Sequence, residues 1–170
     1  MANQSNMKTN LTILWSLTLI RVSLPDNLIA KPPANWPQFR GWNSQGVAAT
    51  EKPPVEFGPE KALLWKTPLP AGVSSPCLWG DRIFLTAFDP AGQKLETICL
   101  DRKTGKIEWR VDAPPHKIEK VHEVSSPANT TPATDGKRVF VHFLRFGIVA
   151  YSFKGAVAWI IEHENLSSPD

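Results

Sequence analysis

The chain of 170 residues is poor in the groups from which most enzyme sites are built. Its two cysteines, Cys77 and Cys99, form no C-x-x-C pair and no Cys/His cluster, which excludes a zinc-site pattern. It has no Gly-rich phosphate loop, nucleophile elbow or paired-carboxylate motif. Lys and Arg are scattered among Asp and Glu for a net charge of +3, and no basic run is interleaved with aromatics, which argues against a nucleic-acid partner. The longest apolar run, Leu11 to Ile20, has ten residues and is too short to span a membrane. Beyond that run no apolar spacing of three and four residues is sustained, which disfavours helical repeats.

What the chain does have is tryptophan, proline and glycine: 7, 16 and 10 residues respectively. These point to many turns and a few large packing anchors. The stretch Leu95 to Trp109 reads as strand, tight turn, strand. Leu95, Ile98 and Leu100 are strand formers. In the turn, Asp101 bonds its own backbone and Gly105 takes positive φ. After it, Ile107 and Trp109 alternate with Lys106, Glu108 and Arg110, which predicts one apolar and one charged face. Ala62 to Thr67, with Trp65 inside it, reads as the first clear strand. Trp36 and Phe39 read as packing anchors of the arm that precedes it.

The chain repeats itself. Ser75-Pro-Cys-Leu-Trp-Gly-Asp-Arg-Ile-Phe-Leu85 aligns with Thr131-Pro-Ala-Thr-Asp-Gly-Lys-Arg-Val-Phe-Val141 at an offset of 56. Gly105-Lys-Ile-Glu-Trp109 aligns with Gly155-Ala-Val-Ala-Trp159 at an offset of 50, so the second copy has shorter internal loops. Trp65, Trp109 and Trp159 thereby become equivalent, 44 and 50 residues apart. Short strands at that period, each group carrying a turn-anchored Trp, are the signature of propeller blades. The expected fold is all-β: a partial β-propeller of four-stranded antiparallel blades, about two of them, with an N-terminal arm. A blade cannot bury both faces alone, and the Trp fills the gap between neighbours.

Cys99-Leu-Asp-Arg-Lys-Thr-Gly-Lys-Ile-Glu-Trp109 resembles the A-x-D-x-x-T-G-x-x-x-W tryptophan-docking motif of the pyrroloquinoline-quinone (PQQ)-like repeat propellers of bacteria, with Cys99 in place of Ala. Ala150-Tyr-Ser-Phe-Lys-Gly155 with Trp159 is a degenerate copy. It has Ser152 instead of Asp, one residue fewer in the turn and no Thr before Gly155. Trp36-Pro-Gln-Phe-Arg-Gly41 is similar to the start of exported members. The resemblance spans residues 35 to 162. It implies that Trp65, Asp101, Thr104, Gly105, Trp109, Gly155 and Trp159 are structural docking residues. The family includes quinone-dependent alcohol and sugar dehydrogenases and a scaffold of outer-membrane protein assembly. The dehydrogenases hold PQQ and Ca²⁺ at the ring centre, with a catalytic Asp and often a disulfide between adjacent Cys. No residue here matches that set, so no catalytic, cofactor-binding or metal residue is assigned.

These readings divide the chain into a signal-peptide-like segment (1–30), an extended arm (31–61), a first blade (62–113) and a second, incomplete blade with a tail (114–170). Export rests on the apolar run and on the small Ala30, with cleavage after it. Arg21, Pro25 and Asp26 interrupt that pattern, and a plain N-terminal extension is the alternative. Asn10, Asn129 and Asn165 match the glycosylation pattern. Two blades cannot close a ring of about four to eight, so the remaining blades are expected from a longer chain or another subunit. Cys77 and Cys99 are read as buried hydrophobes, with a single disulfide as the alternative. His116, Glu119, His122 and Glu123 form a loop cluster with metal-ligand chemistry, read as a solvated connection. His142 is placed on a sheet face away from Val141 and Phe143. Lys103 and Lys106 are placed in water.

The function these readings imply is a non-catalytic scaffold for a protein or small ligand in the periplasm, envelope or extracellular space. The alternative is a fragment of a PQQ-dependent dehydrogenase, the only reading that brings PQQ and calcium.

Overall fold

Arg82–Asp89 (β2) and Lys94–Asp101 (β3) pair antiparallel along their whole length, Arg82 opposite Asp101 and Asp89 opposite Lys94. Pro90 and Gly92 break the strand between them, and the Asp89 carboxylate accepts the Ala91 amide at 3.0 Å, so the hairpin closes locally. The computed structural model to which these strands belong describes residues 35–48, 52–115, 118, 120–144 and 146–163. The signal-like segment, Asn10, Asn165, His116 and Glu119 lie outside them.

Cys77–Trp79 (β1) and Ile107–Asp112 (β4) complete a sheet of order β1-β2-β3-β4. Ala133–Thr134 (β5), Arg138–Phe143 (β6), Gly147–Ser152 (β7) and Val157–Glu162 (β8) form a second, of order β5-β6-β7-β8. The fold is all-β: two four-stranded antiparallel meanders, the pattern of two propeller blades. Helical structure is confined to a 3-10 turn at Trp42–Ser44 and a 3-10 residue at His163 among the described residues. No helix among them is long and apolar enough to cross a membrane.

The two sheets are copies at the level of register. The row Cys77, Phe84, Cys99, Trp109 in the first corresponds to Ala133, Phe140, Ala150, Trp159 in the second. Both carry a bulge at the same place, between Cys99 and Leu100 and between Ala150 and Tyr151. Phe84 and Phe140 are 56 residues apart, Cys99 and Ala150 are 51, Trp109 and Trp159 are 50. The second copy is therefore shorter by five residues in its central hairpin and by one in the turn before its last strand.

The core lies between the sheets. Cys77, Phe84 and Cys99 of the first meet Val139, Val141, Val149 and Tyr151 of the second, all fully buried. Each large side chain among them contributes roughly 2–3 kcal/mol by burial. The opposite face of the first sheet, with Ala87, Ile98 and Leu100, packs under Trp65 and Leu69. Strand β3 is thus covered on both faces, and its residues Leu95 to Leu100 are all buried. The sheets meet most closely at their first strands, β1 and β5. The arm straps that seam. Trp36 exchanges two backbone hydrogen bonds with Leu78 at 2.8 Å each, and the Thr134 amide donates to Pro37 O at 2.8 Å.

Three sequence readings are corrected. Ala62 to Thr67 is not a strand, because no neighbouring strand pairs with it among the described residues. Ile107 and Trp109 do not share a face. The bulge puts Ile107 opposite Leu100 and Trp109 opposite Cys99, so the extra residue breaks the alternation. Phe39 is 58% exposed rather than packed as an anchor, whereas Trp36 is half-buried against β1.

Candidate functional site

The site that the repeat builds is a contact, and it starts in the turn from Asp101 to Gly105. The Asp101 carboxylate accepts hydrogen bonds from the Thr104 hydroxyl at 2.6 Å, the Thr104 amide at 2.7 Å and the Lys103 amide at 3.1 Å. The Gly105 amide donates to Asp101 O at 2.8 Å. Those bonds, the Thr104 hydroxyl foremost, hold the Asp101 carboxyl below the usual carboxylate range. The turn leaves Arg102 O pointing outward and Gly105 at φ +70°.

Trp65 takes both. Its indole N–H donates to Arg102 O at 3.0 Å, and its ring lies where a Gly105 side chain would stand, 2.3 Å from an ideal Cβ. The Thr67 hydroxyl adds a bond to Gly105 O at 2.6 Å. Trp109 does the same one sheet further on. It donates to Phe153 O at 2.9 Å and lies 2.9 Å from the Cβ position of Gly155, which has φ +83°. Arg102 follows Asp101 and Phe153 follows Ser152, so the acceptor occupies the same place in both turns. Ser152 replaces the carboxylate with a hydroxyl that accepts the Lys154 and Ala156 amides at 3.3 and 3.2 Å.

Trp109 is also held from its own sheet by Phe84, with ring centroids 6.0 Å apart, and from the next by Tyr151 at 6.2 Å. Trp159 stacks on Phe140 at 5.8 Å, as Trp109 does on Phe84, but no turn among the described residues covers it. A third contact of this kind has no counterpart in the repeat. Trp79 lies 2.4 Å from the Cβ position of Gly136, in the β5–β6 turn, with Trp42 packed beside it at 6.0 Å, the ring planes tilted by 59°. The position aligned with Trp79 is Asp135, so the internal comparison gave no signal for it.

Around this contact the charged groups are paired. Arg82 meets Glu108 at 2.7 Å and Lys94 meets Asp112 at 2.7 Å, while Arg110 pairs with the buried Glu96. Lys103 sits 3.3 Å from Asp81 and is largely in solvent. His142 is exposed between buried Val141 and Phe143. His122 and Glu123 are exposed on the rim of a cavity of 570 Å³ shared with Phe88, Ile118 and Ser126. Among the described residues no three His, Cys, Asp or Glu gather as metal ligands. Among the described carboxylates, those of Glu96, Glu108 and Asp112 are held in ion pairs and those of Asp89, Asp101 and Asp135 close turns.

Cys77 and Cys99 are free thiols, fully buried on opposite sides of Phe84. Two strand spacings separate them, about 9–10 Å, beyond the reach of a disulfide. Burial pushes both thiols up to about 12.

Among known families, the model described as outer membrane protein assembly factor BamB matches residues 57–167, more than half of the chain. No curated protein matches it.

Proposed function

This chain belongs to the family described as outer membrane protein assembly factor BamB, and from that premise we propose that it is a non-catalytic PQQ-like β-propeller module of an exported cell-envelope protein, acting as a scaffold for a protein or small ligand. One observation carries the reading. The chemistry that recurs along the chain, Trp65 on the Gly105 turn and Trp109 on the Gly155 turn, fastens the turn of each sheet to the segment before it. It builds a rigid frame and presents loops. The family's description as an assembly factor suits such a frame. The apolar run Leu11 to Ile20 and the small Ala30 support export. The reading assigns no cofactor to the chain.

Fusion of alkaline phosphatase, which is active only after export, behind Asp170 tests the location. Phosphatase activity and a mature N-terminus at Lys31 are expected; retention in the cytoplasm with Met1 intact contradicts export. Photo-crosslinkers at the exposed Phe57 and Val124 test the scaffold role, with discrete adducts expected and a bare chain as the opposing result. Titration with PQQ and Ca²⁺ is expected to leave tryptophan fluorescence unchanged. Saturable binding with dye reduction would replace the scaffold by a dehydrogenase.

A further inference from the structure

The exposed loop of residues 38–46 is tied to itself at several points. The Gly41 amide donates to Gln38 O at 2.9 Å, the Gly46 amide to Arg40 O at 2.8 Å, and the Gln38 side-chain amide to the Ser44 hydroxyl at 3.1 Å. Arg40, Gly41, Asn43 and Ser44 all have positive φ, between 53° and 70°, which is unfavourable for the three that carry a side chain. Such strain persists only where surrounding contacts fix it, and it gathers at ligand clamps. The Trp36 ring supplies one such contact, 2.7 Å from the Cβ position of Gly41.

What the loop holds is Trp42. It is 56% exposed and lies beside the half-buried Trp79, which rests on Gly136. The sheet repeat does not require this pair, since the position aligned with Trp79 is Asp135. Nor is it used as the docking tryptophans are. Trp65 and Trp109 give their indole N–H to turn carbonyls, whereas that of Trp42 has no hydrogen-bond partner among the described residues. The loop therefore offers aromatic surface and a donor. Residues 35–48 contain no Asp or Glu, and their one charged group, Arg40, donates to Gln45 O at 3.5 Å.

That set suits a ligand with apolar rings and carbonyl acceptors. A polyproline II segment is such a ligand: each proline presents a pyrrolidine ring and a C=O and has no N–H to satisfy. Aromatic surfaces recognise it because its extended form is already set before binding. A saccharide brings hydroxyl donors as well, for which this loop has no carboxylate. We propose that Trp42 and Trp79 form a docking surface for a proline-rich, polyproline II segment of a partner protein. The inference names a partner class for the scaffold and rests on that reading. Crosslinking from Phe57 and Val124 tests the scaffold away from this loop, so the two fail separately.

The test titrates decaproline into the full chain and follows the indole N–H signals by NMR, with a Gly-Ser decapeptide as the flexible control. The Trp42 signal is expected to move saturably with decaproline, the Trp65 and Trp109 signals to stay, and the control to move none. Trp42→Ala is expected to weaken binding about tenfold or more, with unchanged amide exchange of β2 and β3 as the check on folding. Trp42→Phe, a smaller ring without the N–H, is expected to weaken it less, and carries the comparison should the alanine variant not fold. A Trp42 signal that decaproline leaves unmoved at every concentration overturns the proposal, as does equal binding of the Gly-Ser peptide or undiminished affinity in the folded variants. Movement of the Trp42 signal by maltohexaose or chitohexaose but not by decaproline assigns the surface to a saccharide and also overturns it.

Discussion

The ring of Trp109 lies on Gly155 so closely that a Cβ on the glycine would stand 2.9 Å from it. One residue belongs to the last strand of the first sheet and the other to a turn of the second. Gly155 also has φ +83°, so a side chain there meets both strain and the indole. Gly155→Ala should destabilise the chain by about 2–4 kcal/mol, from the left-handed backbone and from overpacking. Trp109→Ala should cost about 3–5 kcal/mol. Trp109→Phe keeps most of the ring but forfeits the bond to Phe153 O, and should cost less than half of that. Urea unfolding of the three variants gives the order, and equal midpoints for Trp109→Phe and Trp109→Ala would contradict it.

The turn is acid-sensitive through Asp101. Its folded pKa lies below the unfolded value because the Thr104 hydroxyl and amide bond the carboxylate. Its contribution is therefore present above the unfolded pKa, about 4, and is lost as pH falls through the folded pKa. The stability gap between the natural chain and Asp101→Asn should be widest near pH 7 and shrink below about pH 4. Urea midpoints at the two pH values measure it. A gap that is constant with pH would remove the carboxylate from the account.

Tyr151 is fully buried, and its hydroxyl has no hydrogen-bond partner among the described residues. The buried Thr97 hydroxyl beside it is unpaired too. Burial pushes the phenol up, and the Thr97 hydroxyl, close enough to act on it but outside hydrogen-bond geometry, offsets part of that rise. An unpaired buried hydroxyl costs about 1–3 kcal/mol. Tyr151→Phe should therefore leave thermal stability unchanged or raise it. A clear fall in the melting temperature would mean that the hydroxyl is bonded.

Cys77 and Cys99 should resist thiol reagents in the folded chain, since both thiols are buried and pushed up to about 12. Neither is expected to react with an alkylating agent at pH 8 in buffer, and both should react in urea. Rapid labelling of either in buffer would show that the sheet interface opens.

The hairpins and the repeat were legible in the sequence because local chemistry sets them. Asp101, Thr104 and Gly105 close their turn through neighbours within four residues, and Phe84 and Phe140 mark the same row in both copies. What was not legible depends on distant partners or on one inserted residue. Ala62 to Thr67 has strand composition but no strand beside it among the described residues. The bulge after Cys99 sends Ile107 and Trp109 to opposite faces without changing residue type. Trp79 on Gly136 occurs in one copy only, so comparison of the copies passes over it. Phe39 looked like an anchor from its size, but the arm turns it to solvent.

The central claim is that Trp65 and Trp109 fill the same place on successive sheets. The most direct measurement is the NMR spectrum of the glycine α-protons under those rings. Gly105 and Gly155 should both show strong upfield ring-current shifts, with cross-peaks to the indoles of Trp65 and Trp109 respectively. Ordinary glycine shifts at both positions, with no cross-peak to either indole, would contradict it.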